Sequence, residues 1–182
     1  MMKDTKKVAA PAATALNTNS MDKTTTKVKC GAVTVYDTLP DMQLTEHFAL
    51  REFVISATAV RRGIDNVPPA DAVERLRALC TEVLEPLRRR FGVIRVTSGY
   101  RAPAVNRLVG GASTSQHMRG EAADINVGSM ETGRKMYDFA RAHLDFDQLI
   151  LERNEKTASR WLHVSYRADG KNRHQAFELV KR

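Results

Sequence analysis

The chain has 182 residues, 42% hydrophobic and 27% charged, with a formal net charge of +8. That length suits one well-buried domain rather than two, and no run approaches the roughly 18 apolar residues that a membrane span needs. The positive balance would attract any polyanion. The basic residues are scattered, however, with only Arg61–Arg62 and Arg88–Arg90 as clusters. No zinc-finger spacing or aromatic RNA-binding strand motif accompanies them, so no nucleic-acid partner is expected.

The start, MMKDTKKVAAPAATALNTNS, places Lys3, Lys6 and Lys7 before an alanine-rich patch broken by Pro11. This is a poor export signal. We read residues 1–43 as a disordered or extended arm, with a short edge strand in KCGAVTVYDTL, and the protein as made in the cytoplasm. Cys30 and Cys80 form no CxxC pair, so neither a disulfide framework nor a zinc–thiolate site is expected. Cys80 falls on the apolar face of a predicted helix, where a thiol packs as a small hydrophobe.

A folded domain is expected over 44–182. LTEHFALREFVIS predicts a brief helix capped by Thr45 and carrying Phe48, Leu50 and Phe53. NVPPADAVERLRALCTEVLEPLRRRFG predicts a long helix. Asp71 and Glu74 give it a capping pattern, and Val73, Leu76, Leu79, Cys80, Val83, Leu84 and Leu87 recur at helical spacing. Pro86 should kink or break it and Gly92 should stop it. VIRVTSGYR reads as a strand ending at a Ser-Gly turn, APAVNRLVGG as a short helix, and AADINV as a strand. METGRKMYDFARAH reads as an amphipathic helix with Met136, Phe139 and Ala140 inward. DFDQLILE, RWLHVSYR and HQAFELV predict three further strands, the first two forming a hairpin, in a closing meander. The fold class is therefore α+β, with a mainly antiparallel sheet and helices packed on one side.

Catalytic zinc sites take three protein ligands from His and carboxylate side chains and leave a position for water. His47 and His143 sit on predicted helices, and His174 in a polar turn, with nothing to gather them. His117 lies in a glycine-bounded loop. Asp124 lies among small apolar residues, where an ionised carboxylate is costly unless paired or metal-bound. His163 interrupts the apolar strand WLHVSY. Taken singly, Asp124 reads equally as a turn cap and His163 as a core histidine.

Together with SGYR (Ser98–Arg101), Asn106, VGGASTSQHMRGEAAD and WLHVS, the sequence resembles the peptidase M15 family of zinc D-alanyl-D-alanine carboxypeptidases and L-alanyl-D-glutamate endolysins. Its form is closest to the M15A-type branch. The pattern S-x-H-x-x-G-x-A-x-D is met by Ser115, His117, Gly120, Ala122 and Asp124. The resemblance covers roughly residues 44–180 and implies a Hedgehog/DD-peptidase fold, a Zn2+ cofactor and the ligand set His117, Asp124 and His163.

Some members place a glutamate three residues before the last histidine, where this chain has Arg160. The Hedgehog-like arrangement of strands, FDQLILE then WLHVSY, points instead to Glu152 as the proton-moving group. Antiparallel neighbours bring the end of one strand beside the start of the next. Glu121 is the reserve candidate, and Asp147 is read as a strand-start cap. The resemblance gives Arg101 a role in catalysis and in holding substrate oxygens, and lets Ser115 donate to the substrate backbone. Gly110, Gly111 and Gly120 are read as letting the chain pass close to the metal, and Trp161 as packing in the core.

The implied activity is hydrolysis of amide bonds in peptidoglycan stem peptides at the cell wall or periplasm, as a D-Ala-D-Ala carboxypeptidase or an endopeptidase of endolysin type. The protein is expected to act as a monomer, in a phage or bacterial setting. The alternative is a catalytically inactive, zinc-bearing wall-binding or structural module.

Overall fold

The computed structural model describes residues 42–182. Residues 1–41, including the strand expected in KCGAVTVYDTL and Cys30, lie outside the described residues. The elements are α1 (Leu50–Val54), α2 (Ala57–Arg62), α3 (Ala70–Leu79), α4 (Glu85–Phe91), β1 (Arg95–Ser98), α5 (Pro103–Leu108), β2 (Ala122–Asn126), α6 (Met130–His143), β3 (Gln148–Asn154), β4 (Arg160–Ser165) and β5 (Gln175–Lys181). Among the described residues no helix is long and apolar enough to cross a membrane.

The long predicted helix forms, but it neither breaks nor starts as expected. A π-helical turn, Cys80–Leu84, joins α3 to α4, and the Glu85 N–H bonds back to the Cys80 carbonyl. Pro86 lacks the N–H that the Glu82 carbonyl would accept, and its ring would crowd that carbonyl. Widening the preceding turn relieves both faults and keeps the helix continuous. Asp71 does not cap the N-terminus, because the helix begins at Ala70 after Pro69. Asp71 instead accepts from Arg75 Nη2 at 2.6 Å in the first turn. Thr45 likewise caps nothing: α1 begins at Leu50, and the Ala49 N–H bonds to Glu52 Oε1 at 2.9 Å.

Ala72, Leu76, Leu79, Cys80, Val83, Leu84 and Leu87 are buried on one face of this helix. They meet Ala123, Ile125, Leu149, Leu151, Leu162 and Val164 from one face of the sheet, together with Met136, Tyr137 and Ala140 from α6. Each large aliphatic removed from water there stabilises the fold by roughly 1.5–3 kcal/mol. Cys80 is a free thiol in this core, and burial raises its pKa strongly.

The sheet runs β1-β2-β4-β3-β5. Every pairing is antiparallel except β3 with β5, which is parallel. The α+β class with a mainly antiparallel sheet therefore holds, and β3 and β4 form the expected hairpin. The closing meander does not form. The second edge of β4 is taken by β2, so β5 crosses to the free edge of β3, setting Ile150 beside Phe177. The expected one-sided helical layer holds for α3, α4 and α6, while α2 and α5 border a cleft on the other face through Ala57, Thr58 and Val105.

Candidate metal centre and cleft

Successive strand residues point to opposite sides of a sheet. Because Ala123, Ile125, Leu162 and Val164 enter the core, Asp124 and His163 must face the other way. They are direct partners across β2 and β4. Directly opposed residues in an antiparallel pair stand about 4.5–5.5 Å apart, so these two side chains are neighbours by register alone.

His117 reaches them from a 3₁₀ turn, Gln116–Arg119. Its Nδ1 lies 2.7 Å from the Gly99 carbonyl. A carbonyl can only accept, so Nδ1 carries the proton and Nε2 is left to bind. Nε2 is 3.4 Å from Asp124 Oδ1, and His163 Nδ1 is 2.8 Å from the same oxygen. One donor atom from each of the three residues lies within 4.8 Å of the others. Burial of Asp124 works against ionisation, but the two imidazoles outweigh it and hold the carboxyl well below the usual carboxylate range. Two imidazoles and an ionised carboxylate, converging at this spacing, can hold a divalent cation.

Arg101 follows the turn after β1. Its Nη2 donates to Asp124 Oδ2 at 2.8 Å and lies 3.3 Å from His117 Nε2, while Nε donates to Ser98 Oγ at 2.9 Å. The expected cleft position is met, with part of the guanidinium engaged by Asp124. Sequence reading missed the residue that fixes this loop. Asn66 is buried and donates to the Val54 and Tyr100 carbonyls at 2.8 and 3.1 Å, and its Oδ1 accepts from the Ala102 N–H at 2.6 Å. Asn66 in NVPP looks like a turn residue, and only the three-way clamp shows its purpose. Asn106 plays a similar part, donating to the Ala112 carbonyl at 2.9 Å. Ser115 precedes the 3₁₀ turn and lines the cleft.

The glycine at 120 serves a different end from the one expected. Its φ is +73°, and an added Cβ would stand 2.3 Å from the Ala72 carbonyl oxygen of α3. The close approach is to a helix, not to a metal. Gly120→Ala is expected to lower stability by more than about 2 kcal/mol, combining left-handed strain with a backbone clash. A urea denaturation midpoint unchanged from wild type would refute this.

Glu152 lies on the same sheet face as His163. It opposes Trp161, with Ile150 opposing His163, which makes Glu152 the diagonal neighbour of that histidine. Such diagonal pairs stand about 7–8 Å apart, a span one water can bridge. Glu152 is 7% exposed, lines the cleft, and has Lys181 Nζ 2.7 Å from its Oε2. That contact is an ion pair without hydrogen-bond alignment, for Oε2 is buried and takes no aligned donor.

Trp161 does not pack in the core. It lines the cleft, with Lys181 Nζ 4.9 Å from its ring centre. Lys181 was not anticipated, because nothing in the sequence says that β5 lies beside β3.

Arg160 stands on the strand face opposite His163, since three residues apart is an odd step. Glu121 is also turned away: it pairs with Arg119 at 2.8 Å and approaches Arg75 of α3 at 3.9 Å. His47 is anchored to Glu85 at 2.8 Å, and His174 pairs with Asp145 at 2.8 Å on the surface. Among the described residues Glu46, His47 and Glu85 form a second group with metal-ligand donors. Both Glu85 oxygens already accept from His47, so this group ties the chain entering α1 to α4.

Asp147 is more than a strand-start cap. It is 1% exposed and accepts from Arg173 Nη2 at 2.6 Å and from the Arg173 N–H at 3.1 Å. Burial alone would raise its pKa, but the Arg173 bonds hold it below the usual range. A depressed native value means stability present above the unfolded pKa of about 3.9 and lost as pH falls through the native one. Urea midpoints should therefore fall between pH 5 and pH 2.5, and by less in Asp147→Asn. Equal acid sensitivity in both proteins would exclude this pair as the cause.

The cleft has a volume of about 590 Å³ and holds all three donors together with Arg101, Ser115 and Glu152. The zinc D-Ala-D-Ala carboxypeptidase of Streptomyces albus G is 44% identical over 61 residues, which are 32% of this chain and 24% of that protein. The chain thus matches about a quarter of that relative's length. A family model described as Peptidase M15 matches residues 46–165. That stretch is most of the chain and contains His117, Asp124, Glu152 and His163 on their strands and turn, and the chain belongs to the peptidase M15 family.

Proposed function

We propose that the protein is a zinc-dependent peptidase that hydrolyses amide bonds in peptidoglycan stem peptides, as a D-Ala-D-Ala carboxypeptidase or an endopeptidase, on the Hedgehog/DD-peptidase fold. One observation carries the reading. His117 Nε2, Asp124 Oδ1 and His163 Nδ1 converge, with Glu152 on the same sheet face. The named activity of the Streptomyces albus G relative supports it.

The donor set fits zinc: two imidazoles and one carboxylate, with the His117 tautomer fixed by the Gly99 carbonyl. Zinc held there supplies Lewis-acid polarisation of the scissile carbonyl and makes water acidic enough to attack near neutral pH. Glu152 takes a proton from the attacking water and returns it to the nitrogen of the leaving amine. Its carboxylate lines the cleft, with the Lys181 ammonium 2.7 Å from Oε2 as its ionic neighbour. Arg101 offers its guanidinium to the substrate carbonyl or carboxylate oxygens, and Ser115 donates to the peptide backbone. Trp161 gives the cleft a flat apolar wall beside Glu152.

The test is mass spectrometry of muropeptides after incubation of purified peptidoglycan with the zinc-loaded protein. Loss of D-alanine or appearance of a cleaved crosslink supports the reading. Bound zinc with unaltered muropeptides would instead leave the inactive wall-binding module.

A further inference from the structure

A second pocket of about 490 Å³ adjoins the cleft, sharing Ala112, Ser115, Gln148 and His163 with it. Its charge differs from that of the cleft. Cleft residues Arg101 and Lys181 are balanced by Asp124 and Glu152. The second pocket is lined by Arg119, Arg167 and Arg173 against a single acid, Asp147. The acids that pair with Arg119 and Arg167, namely Glu121 and Asp169, do not line it.

Arg167 bonds Asp169 through Nε and Nη2, and Arg173 bonds Asp147 through the same two atoms. Each guanidinium therefore keeps an Nη1 with two N–H donors that has no partner among the described residues. A planar guanidinium with spare donors is suited to a carboxylate, which accepts two parallel bonds. The pairs with Asp169 and Asp147 fix these side chains in advance, which lowers the entropy lost on binding. The cleft, by contrast, is lined by Ile55, Val105 and Val109, none of which lines the second pocket and which suit small apolar side chains.

We propose that the second pocket is a carboxylate-recognition subsite, in which Arg167 and Arg173 hold an anionic group of the peptide flanking the scissile amide. This rests on the peptidase reading and adds a polarity to it. The substrate's charged flank lies toward Arg167 and Arg173, and its small apolar flank toward Ile55 and Val109.

The experiment uses synthetic stem pentapeptides in which each free carboxylate is converted in turn to a carboxamide. Stopped-flow fluorescence of Trp161, the single tryptophan of the chain, reads binding before turnover, and mass spectrometry reads hydrolysis separately. One amidation should weaken binding by at least tenfold in the wild type and by several-fold less in Arg167→Gln, where Arg173 alone remains, since the charge-assisted bond of Arg167, worth about 1.5–3 kcal/mol, is lost only once. Arg167→Lys should recover part of the discrimination. Arg167 is chosen because its partner, Asp169, is exposed, whereas removing Arg173 would strand buried Asp147.

Amidations without effect in the wild type, equal penalties in both proteins, or no binding at all would each overturn the subsite. Carboxylate-dependent binding without hydrolysis would keep the subsite and refute the peptidase reading. Hydrolysis indifferent to amidation would do the reverse.

Discussion

Asp124→Asn is expected to abolish zinc retention and to lower hydrolysis by roughly 10³-fold or more, beyond the 10- to 100-fold that loss of a mere supporting partner costs a metal site. The substitution keeps the shape of the side chain and an oxygen beside His163 Nδ1, now 2.8 Å away. What it removes is the negative charge between two imidazoles and the Arg101 guanidinium. With a neutral amide there, the donor set would hold a dication without internal compensation, and the Arg101 guanidinium, 2.8 Å from Asp124 Oδ2, would lose its counter-charge and add repulsion. Elemental analysis after dialysis and the muropeptide assay check the two parts independently. Full zinc occupancy in the variant would remove Asp124 from the donor set.

The reason Asp124 could be found from sequence is also the reason it sits where it does. AADI is a run of small apolar residues, and an acid within it is legible as an anomaly because a buried carboxylate requires a partner. Strand parity then dictates its side of the sheet once Ala123 and Ile125 are assigned to the core. His163 yields to the same argument within WLHVS. The long helix and the succession of strands along the chain were legible too, since hydrophobic periodicity is local information.

The misses share a different cause. Whether β5 pairs with β4 or β3 depends on which edges remain after β2 has paired with β4, and no local pattern records that. Lys181 was overlooked for this reason, because it takes its meaning from the β3–β5 edge; Trp161 was misread although strand parity puts it on the face of His163, two residues on. The π-helical turn at Cys80–Leu84 is a second kind of miss. Pro86 announces a disturbance, but a kink, a break and a widened turn all answer its missing N–H. The choice is made by burial of Leu84 and Leu87 on either side, which favours a continuous helix. Asn66 and Asp147 are a third kind. Each is a polar residue in an unremarkable loop, and each gains its role from partners far along the chain.

Glu152→Gln should separate proton transfer from metal binding. The amide has nearly the carboxylate's volume, so the side chain, 7% exposed between Trp161 and the edge of β5, can keep its place. Zinc content should stay at the wild-type level, because Glu152 is not among the three converging donors. An amide cannot accept the proton of an attacking water, so kcat should fall by about 10²–10⁴-fold, the usual worth of a positioned acid–base group. KM should change little, since substrate contacts through Arg101, Ser115 and the cleft walls remain. Lys181 would lose its ionic partner, but at 49% side-chain exposure it can turn to solvent at small cost. Glu121→Gln serves as the internal control. That residue faces Arg119 and Arg75 on the other side of β2, so its replacement should leave kcat near wild type. If the Glu121 variant lost activity and the Glu152 variant kept it, the proton would have to move on the opposite side of the sheet. The face on which Asp124 and His163 meet would then not be where the amide is cleaved.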